Sequence, residues 1–405
     1  MTSAPCTELI ALPSLRAHRG PGGGLILTQK YLDGVDIYAD YWPGPVTTLV
    51  NLETEANSNM DLVESDPDSL RTGLEVRPTD PEALAERLSR GAVALAHLAP
   101  DEAETAALCH KIGLPIVMVS EYAPKTERQI VDAGTRNPLL RLRRKLWISG
   151  AERTRQTILK SHAAGLQCSG TPTFDLYGPM APNPFLFFDN RVHADDILDD
   201  AALEAKCASL AQDRPLRLVF GGRLIAMKGV LDLPPIAQAL DRLGVPYSME
   251  IYGSGDLEDT LRSQIATGGL TDRVTLHPPV DFNTGWIPYL KEQADIFICC
   301  HPQGDPSSTY PEVMSCGVPI VGYDNEAFAG IVRESGTGWA VPIHDTDALA
   351  ARIATLHADR SALQAAAWQG RDFARTHCFE ATFARRVDHL ISVSRLPADL
   401  KNGRN

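Results

Sequence analysis

Along the chain, short uninterrupted apolar runs alternate with longer stretches in which apolar residues fall three or four positions apart. In the first half the runs at 25–28, 45–50, 92–98, 115–120, 165–169 and 185–188 are bounded by turn-forming or polar residues and read as buried strands. The runs at 216–220, 247–252, 274–276, 296–300, 318–321 and 337–341 repeat the pattern in the second half. Helices are predicted over 35–42, 80–89, 102–112, 136–160, 171–177, 233–243, 257–266, 347–357, 360–375 and 381–394, with a shorter one inside 281–293. One of them carries its own start signal: Asp80 is placed to cap it, Pro81 suits the first turn, and Leu84 and Leu88 share a face. Residues 1–20 lack the pattern and read as peripheral, and 53–71 are polar and read as loop or short helix.

Strands alternating with helices imply parallel, doubly wound sheets, so the fold class is α/β. The pattern lapses over Asp189–Asp195 and then restarts, which divides the chain into 1–190 and a second unit from 191. Each half is long enough for its own core.

The formal net charge of −13 argues against a general nucleic-acid binder. No apolar run approaches the ~20 residues of a membrane span, and the N-terminus lacks the basic start and apolar core of a secretory signal. The eight cysteines are scattered, with neither a C-x-x-C nor a zinc-like His/Cys cluster, so buried reduced thiols in a cytoplasmic protein are expected. One segment breaks the acidic trend. Residues 136–160 hold Arg136, Arg141, Arg143, Arg144, Lys145, Arg153, Arg155 and Lys160 against the single acid Glu152. Leucines and Trp147 are interleaved, a composition suited to an anionic lipid surface at the inner face of a membrane or to an anionic acceptor. A helix packed on the sheet with a solvated basic face is the simpler account.

Candidate chemistry gathers at strand ends, where open α/β sheets bind ligands. After the strand 216–220, Arg223 and Lys228 stand five apart in a Gly-flanked loop and can converge on a dianionic group such as a diphosphate. After the strand 296–300 comes the polar loop His301–Tyr310, and Glu312 then opens a short helix whose free N–H groups favour phosphate. Glu312 can accept from ligand hydroxyls or simply complement the helix dipole. In the first half, His97 and Glu121 stand at strand ends, and Asp33-Gly34 lies in an expected strand–loop–helix phosphate pattern over 25–42.

The segments FGGRLIAMKG, EIYGSGD, VTLHPPVDF, YLKEQADIFICC, PEVMSCGVPIV and GTGWAVPIHDTDAL occur in the order and spacing of the family 4, retaining, GT-B-fold glycosyltransferases, which this chain resembles most densely over about 216–350. The resemblance implies two Rossmann-like doubly wound domains facing across a cleft: acceptor-side residues 1–190, donor-side residues 191–370, and helices in 371–405 that cross back. It implies a sugar transferred from a nucleotide-sugar donor, UDP- or GDP-linked, to a carbohydrate or lipid-linked acceptor, with retention, no cofactor and no metal. Arg223 and Lys228 match the pair that neutralises the donor diphosphate. Glu312 matches the second acid of the family's Glu-x7-Glu motif, which binds the ribose. The first acid falls on Gly304, with Asp305 the nearest carboxylate. Glu121 or His97 takes the acceptor-side role, because Ser120-Glu121-Tyr122 stands where the family tends to carry a His. Gly34, Gly222, Gly253, Val280, Ser308 and Thr309 complete the implied donor-binding set. Three alternatives stay open at this point: a GT-B epimerase, a phosphorylase, and a sugar-nucleotide-binding protein without catalysis.

Overall fold

The computed structural model describes residues 7–53, 62–66, 70–135, 137–398 and 401. Two sheets organise it. The first holds β1 (Glu8–Leu12), β2 (Arg16–Arg19), β3 (Leu25–Thr28), β4 (Val46–Leu52), β5 (Leu62–Ser65), β6 (Gly73–Val76), β7 (Gly91–His97), β8 (Ile116–Ser120), β9 (Gly165–Ser169) and β10 (Pro184–Phe187). Its parallel core runs β6-β4-β1-β7-β8-β9-β10, and β2 joins the end of β4 and leads antiparallel to β3 and β5. The second sheet holds β11 (Leu216–Gly221), β12 (Tyr247–Tyr252), β13 (Val274–His277), β14 (Ile296–Cys299), β15 (Ile320–Tyr323) and β16 (Trp339–Val341). It is wholly parallel in the order β13-β12-β11-β14-β15-β16. Both are doubly wound sheets whose strand order reverses once, between β1 and β7 in the first and between β11 and β14 in the second.

Helices cover both faces of each sheet, which is why the central strands are buried along their whole length rather than alternating. The second sheet separates two apolar clusters, one around Leu218, Phe220, Ile251 and Ile298, the other around Phe297, Val313, Ile320 and Phe328. The first sheet does the same, and one of its clusters takes in Phe383, Val387, Leu390 and Ile391 from the helix Phe379–Val393. The end of the chain is thereby packed on the first sheet.

Three sequence expectations fail here. Residues 7–20 are not peripheral: Glu8–Leu12 is the central β1, paired with both β4 and β7, and residues 1–6 lie outside the described residues. A four-residue apolar run carries no periodicity, and its burial comes entirely from neighbours distant in sequence. The polar stretch 53–71 contributes β5, while 54–61 and 67–69 lie outside the described residues. The helix expected over 35–42 starts earlier, at Gln29, because Thr28 caps it by accepting from the Tyr31 amide. By contrast, Asp80 caps Pro81–Ser89 as expected through Ala83 N–H, and the basic segment is a helix, Pro138–Ser161, capped by Asn137. The Arg136 expected in that segment lies outside the described residues. The seven described cysteines are buried and unpaired, and Cys6 lies outside the described residues.

Candidate active site

Topology assembles the site that spacing alone could not. The loops after β11 and β14 are 77 residues apart in sequence, yet their strands are neighbours at the strand-order reversal. Strands diverging from that point leave a crevice at their carboxyl ends. There Lys228 Nζ lies 3.3 Å from Asp305 Oδ2, a pair that is mostly buried. Gly229 sets this approach: it is left-handed, with φ 63°, and a Cβ on it would collide with the Cys300 carbonyl. Arg223 projects from the same loop, exposed and with no ion pair to any described residue. Its loop is zipped to the one after β12 by Gly222 N–H to Tyr252 O at 3.0 Å and Leu224 N–H to Ser254 O at 2.8 Å. Gly253 permits that contact, since a Cβ there would strike the Gly222 carbonyl.

Glu312 is buried in the first turn of Thr309–Ser315. Its Oε1 accepts from Arg191 Nε at 3.3 Å, and the Arg191 guanidinium lies 4.1 Å from the centre of the Phe282 ring. Sequence reasoning missed Arg191, which lies in the stretch read as a linker and follows no periodic pattern. Ser307, Ser308 and Thr309 shape the turn before the helix: Ser307 Oγ donates to Thr309 Oγ1 at 3.0 Å, and the Ser308 carbonyl accepts from Glu312 N–H at 3.1 Å. Val280 is exposed on the loop before the turn Phe282–Trp286, in which Asp281 accepts from the Asn283 and Thr284 amides.

The position of the expected first acid is explained by packing. Gly304 is buried against the first domain: its carbonyl accepts from Thr126 Oγ1 at 3.0 Å and its N–H points to Gln129 Oε1 at 3.4 Å. A Cβ on Gly304 would sit 2.8 Å from Glu326 Oε2, and Glu326 is itself paired with Lys125 across the two halves. Asp305 instead turns to Lys228. Gly304→Glu is therefore expected to force an acid against Glu326 and to cost about 1–3 kcal/mol by overpacking and like-charge contact. Thermal melting should fall by several degrees, and an unchanged melting temperature would mean that this contact does not hold the halves together.

The opposite wall comes from the first domain. His97 ends β7, and Glu121 and Tyr122 follow β8. With Glu127, Arg155 and Tyr177 they line a shallow cleft. Arg155 forks onto Glu127 at 2.9 and 2.5 Å. Burial lowers the His97 pKa, with Glu121 opposing and Arg155 adding to the shift, so its imidazole is neutral at pH 7. Burial, then Glu121 and Asp305, raise the Tyr122 phenol, while Arg223 pulls the other way. Tyr122 thus stands where the two strand edges meet, between the His97–Glu121 wall and the Arg223–Lys228 loop. Gly34 does not join them. It sits in the second turn of the helix Gln29–Tyr41 rather than in a loop, and there the helical ladder takes up its N–H.

Two doubly wound domains, with a basic pair at one strand-order reversal and a His–carboxylate wall at the other, form a two-domain α/β protein of the GT-B kind. Residues 204–373 match the family model described as Glycosyl transferases group 1. The amylovoran biosynthesis glycosyltransferase AmsK of Erwinia amylovora is 31% identical over 158 residues, covering 36% of this chain and 37% of AmsK. The alpha-D-kanosaminyltransferase of Streptomyces kanamyceticus is 28% identical over 176 residues, 41% of this chain and 45% of that protein. The chain thus spans less than half the length of these curated relatives. Among solved structures, Anabaena Alr3699/HepE in complex with UDP superposes with a TM-score of 0.61 at 14% identity, covering 95% of this chain and 99% of that one. Sucrose-phosphate synthase from Thermosynechococcus elongatus gives 0.60 at 15% identity over 95% and 98%. At such identities these structures speak for the fold. No helix among the described residues is long and apolar enough to cross a membrane.

Proposed function

We propose that this protein is a glycosyltransferase that moves a sugar, with retention, from a UDP- or GDP-linked donor to a carbohydrate or lipid-linked carbohydrate acceptor in polysaccharide or glycoconjugate synthesis. The observation that carries the reading is the convergence of Arg223, Lys228 and the 301–312 loop at the strand reversal of the domain that matches the group 1 family model. Residues 191–370 hold the donor, 1–190 present the acceptor, and 371–405 tie the two together. As the bond to the sugar breaks, negative charge grows on the departing diphosphate. Arg223 and Lys228 stabilise it by fixed positive charge, without a metal. Asp305, displaced from Lys228 by the diphosphate, becomes available to the sugar hydroxyls. Glu312 holds the ribose, and Gly222, Gly253, Val280, Ser308 and Thr309 line the donor's path. His97, neutral at pH 7, or Glu121 orients the acceptor hydroxyl. Seven buried free thiols fit a reducing cytoplasm.

A panel of UDP-, GDP- and ADP-sugars, scanned for binding by calorimetry and then for transfer, tests the reading. Retention is checked by NMR of the product anomer, and metal independence by transfer in EDTA. Binding without transfer to any acceptor would indicate a sugar-nucleotide-binding protein. An altered sugar with no acceptor present would indicate an epimerase, and a requirement for inorganic phosphate a phosphorylase. No observation favours any of these three over transfer.

A further inference from the structure

The helix Pro138–Ser161 has two unlike halves. Ile148, Ala151, Arg155, Ile158 and Leu159 are buried, whereas no residue from Pro138 to Trp147 is. That free half carries Leu139, Leu142, Leu146 and Trp147, which are 77%, 57%, 64% and 64% exposed. Steps of three and four residues place Leu139, Leu142 and Leu146 in one stripe with Trp147 at its side. Arg143 lies within the stripe, whereas Arg144, farther round the helix, donates to Thr135 Oγ1 at 2.7 Å. The opposite side of the same turns holds the helix to its neighbour: Lys145 Nζ is 2.7 Å from Asp132, and Arg141 donates to the Thr135 carbonyl at 2.8 Å. The usual polarity of a surface helix is therefore reversed, with charged side chains turned toward the protein and large apolar ones toward solvent.

We propose that this face is a docking surface for an anionic phospholipid bilayer. Leucines and a tryptophan inserted to headgroup depth, with arginines beside the phosphates, are the side chains such a surface binds. Charge complementarity singles out the occupant. The segment is strongly basic on a chain of net charge −13, so attraction to anionic lipid is local and orients the molecule. A second copy packed on the same face would bring the Arg143 charges of the two copies together. The other large exposed apolar residues, such as Leu52, Leu243 and Ile343, lie on separate elements and offer no matching stripe among the described residues. The buried half of this helix supplies Arg155 to the His97–Glu121 cleft, so docking would set that cleft at a fixed height above the bilayer. Lipid binding itself does not depend on the reaction proposed above.

Co-sedimentation of the full chain with vesicles of phosphatidylcholine alone, or mixed with phosphatidylglycerol, tests the proposal. Binding is expected only to the mixed vesicles and should weaken as salt is raised. Two exposed-face variants, Leu142→Asp with Leu146→Asp and Arg143→Glu with Trp147→Ala, should each bind at least about tenfold more weakly. Circular dichroism confirms that they are folded, and two independent pairs keep the test decisive if one of them is not. Equal binding to neutral vesicles, no binding to either, unchanged binding in both variants, or a concentration-dependent dimer that these variants break would each overturn it.

Discussion

With Arg223→Ala and Lys228→Ala combined, sugar transfer should fall by roughly 10³-fold or more, since removing even one preorganised charge-stabilising donor typically costs about 10²–10³. The two side chains differ in what else they do, and this makes the prediction specific. Arg223 is exposed and pairs with no described acid, so its loss should leave stability almost unchanged. Lys228 is paired with Asp305, and removing it leaves a partly buried carboxylate, at a cost of about 1 kcal/mol. Adding Asp305→Asn should recover that stability without recovering transfer. Donor binding by calorimetry should weaken alongside turnover, because the same charges meet the diphosphate before and during bond breaking. A folded double variant with near-normal transfer would remove the basis of the proposed function.

The second large effect concerns the frame that holds those loops. Asp295 immediately precedes β14 and is fully buried. Its carboxylate accepts from Arg214 at 2.6 and 2.9 Å, from Arg217 Nη2 at 2.9 Å and from the Arg217 amide at 2.8 Å. Arg217 lies on β11, so one carboxylate clamps together the two strands that flank the crevice. Asp295→Ala would leave Arg214 and Arg217 without their shared carboxylate, although Arg214 keeps Ser209 and Arg217 keeps Glu292 and Gln293, and breaking a buried ion pair from one side costs up to about 3–5 kcal/mol. The midpoint of urea unfolding should drop accordingly, with Asp295→Asn falling between variant and parent. A loss below about 1 kcal/mol would place the pair in the class of surface ion pairs. The cluster also has a pH signature. Burial alone would raise the Asp295 pKa, but hydrogen bonds from Arg214 and Arg217 outweigh it, and the folded value lies below the usual one. A lowered folded pKa means that the stabilisation is complete above the unfolded value of about 3.9 and is lost as pH falls through the folded value. The stability gap between the parent and Asp295→Asn should therefore be full above about pH 4 and shrink as pH falls through the folded Asp295 value.

Much of the architecture was legible in the sequence. Apolar runs between periodic stretches marked twelve of the strands to within two residues, because strands covered on both faces must be apolar throughout, whatever their partners. Arg223, Lys228 and Glu312 were legible for a related reason: each follows a recognisable strand or opens a helix, and strand ends are where a parallel sheet binds. The sequence was silent where burial is decided by neighbours far along the chain. Glu8–Leu12 is too short to show a period, and only β4 and β7 on either side make it a central strand. Gly34 resembled a loop glycine because nothing in its own residues distinguishes a loop from the second turn of a helix capped at Thr28. Arg191 became visible only when the chain returned Glu312 and Phe282 to it.

The sequence by itself therefore determined the α/β class, the two-unit plan, the basic pair and the carboxylate at the helix start, since these rest on local pattern and composition. The tertiary structure alone decided which of these meet. Strand-order reversal joined Lys228 to Asp305 across 77 residues. Packing set Gly304 against Thr126 and the Glu326 carboxylate, where an acid would meet like charge. Tethering of Pro138–Trp147 through its charged side to Asp132 and Thr135 turned an interleaved basic and apolar segment into an exposed apolar face. Contacts distant in sequence fix the orientation of a side chain, and no local periodicity encodes them.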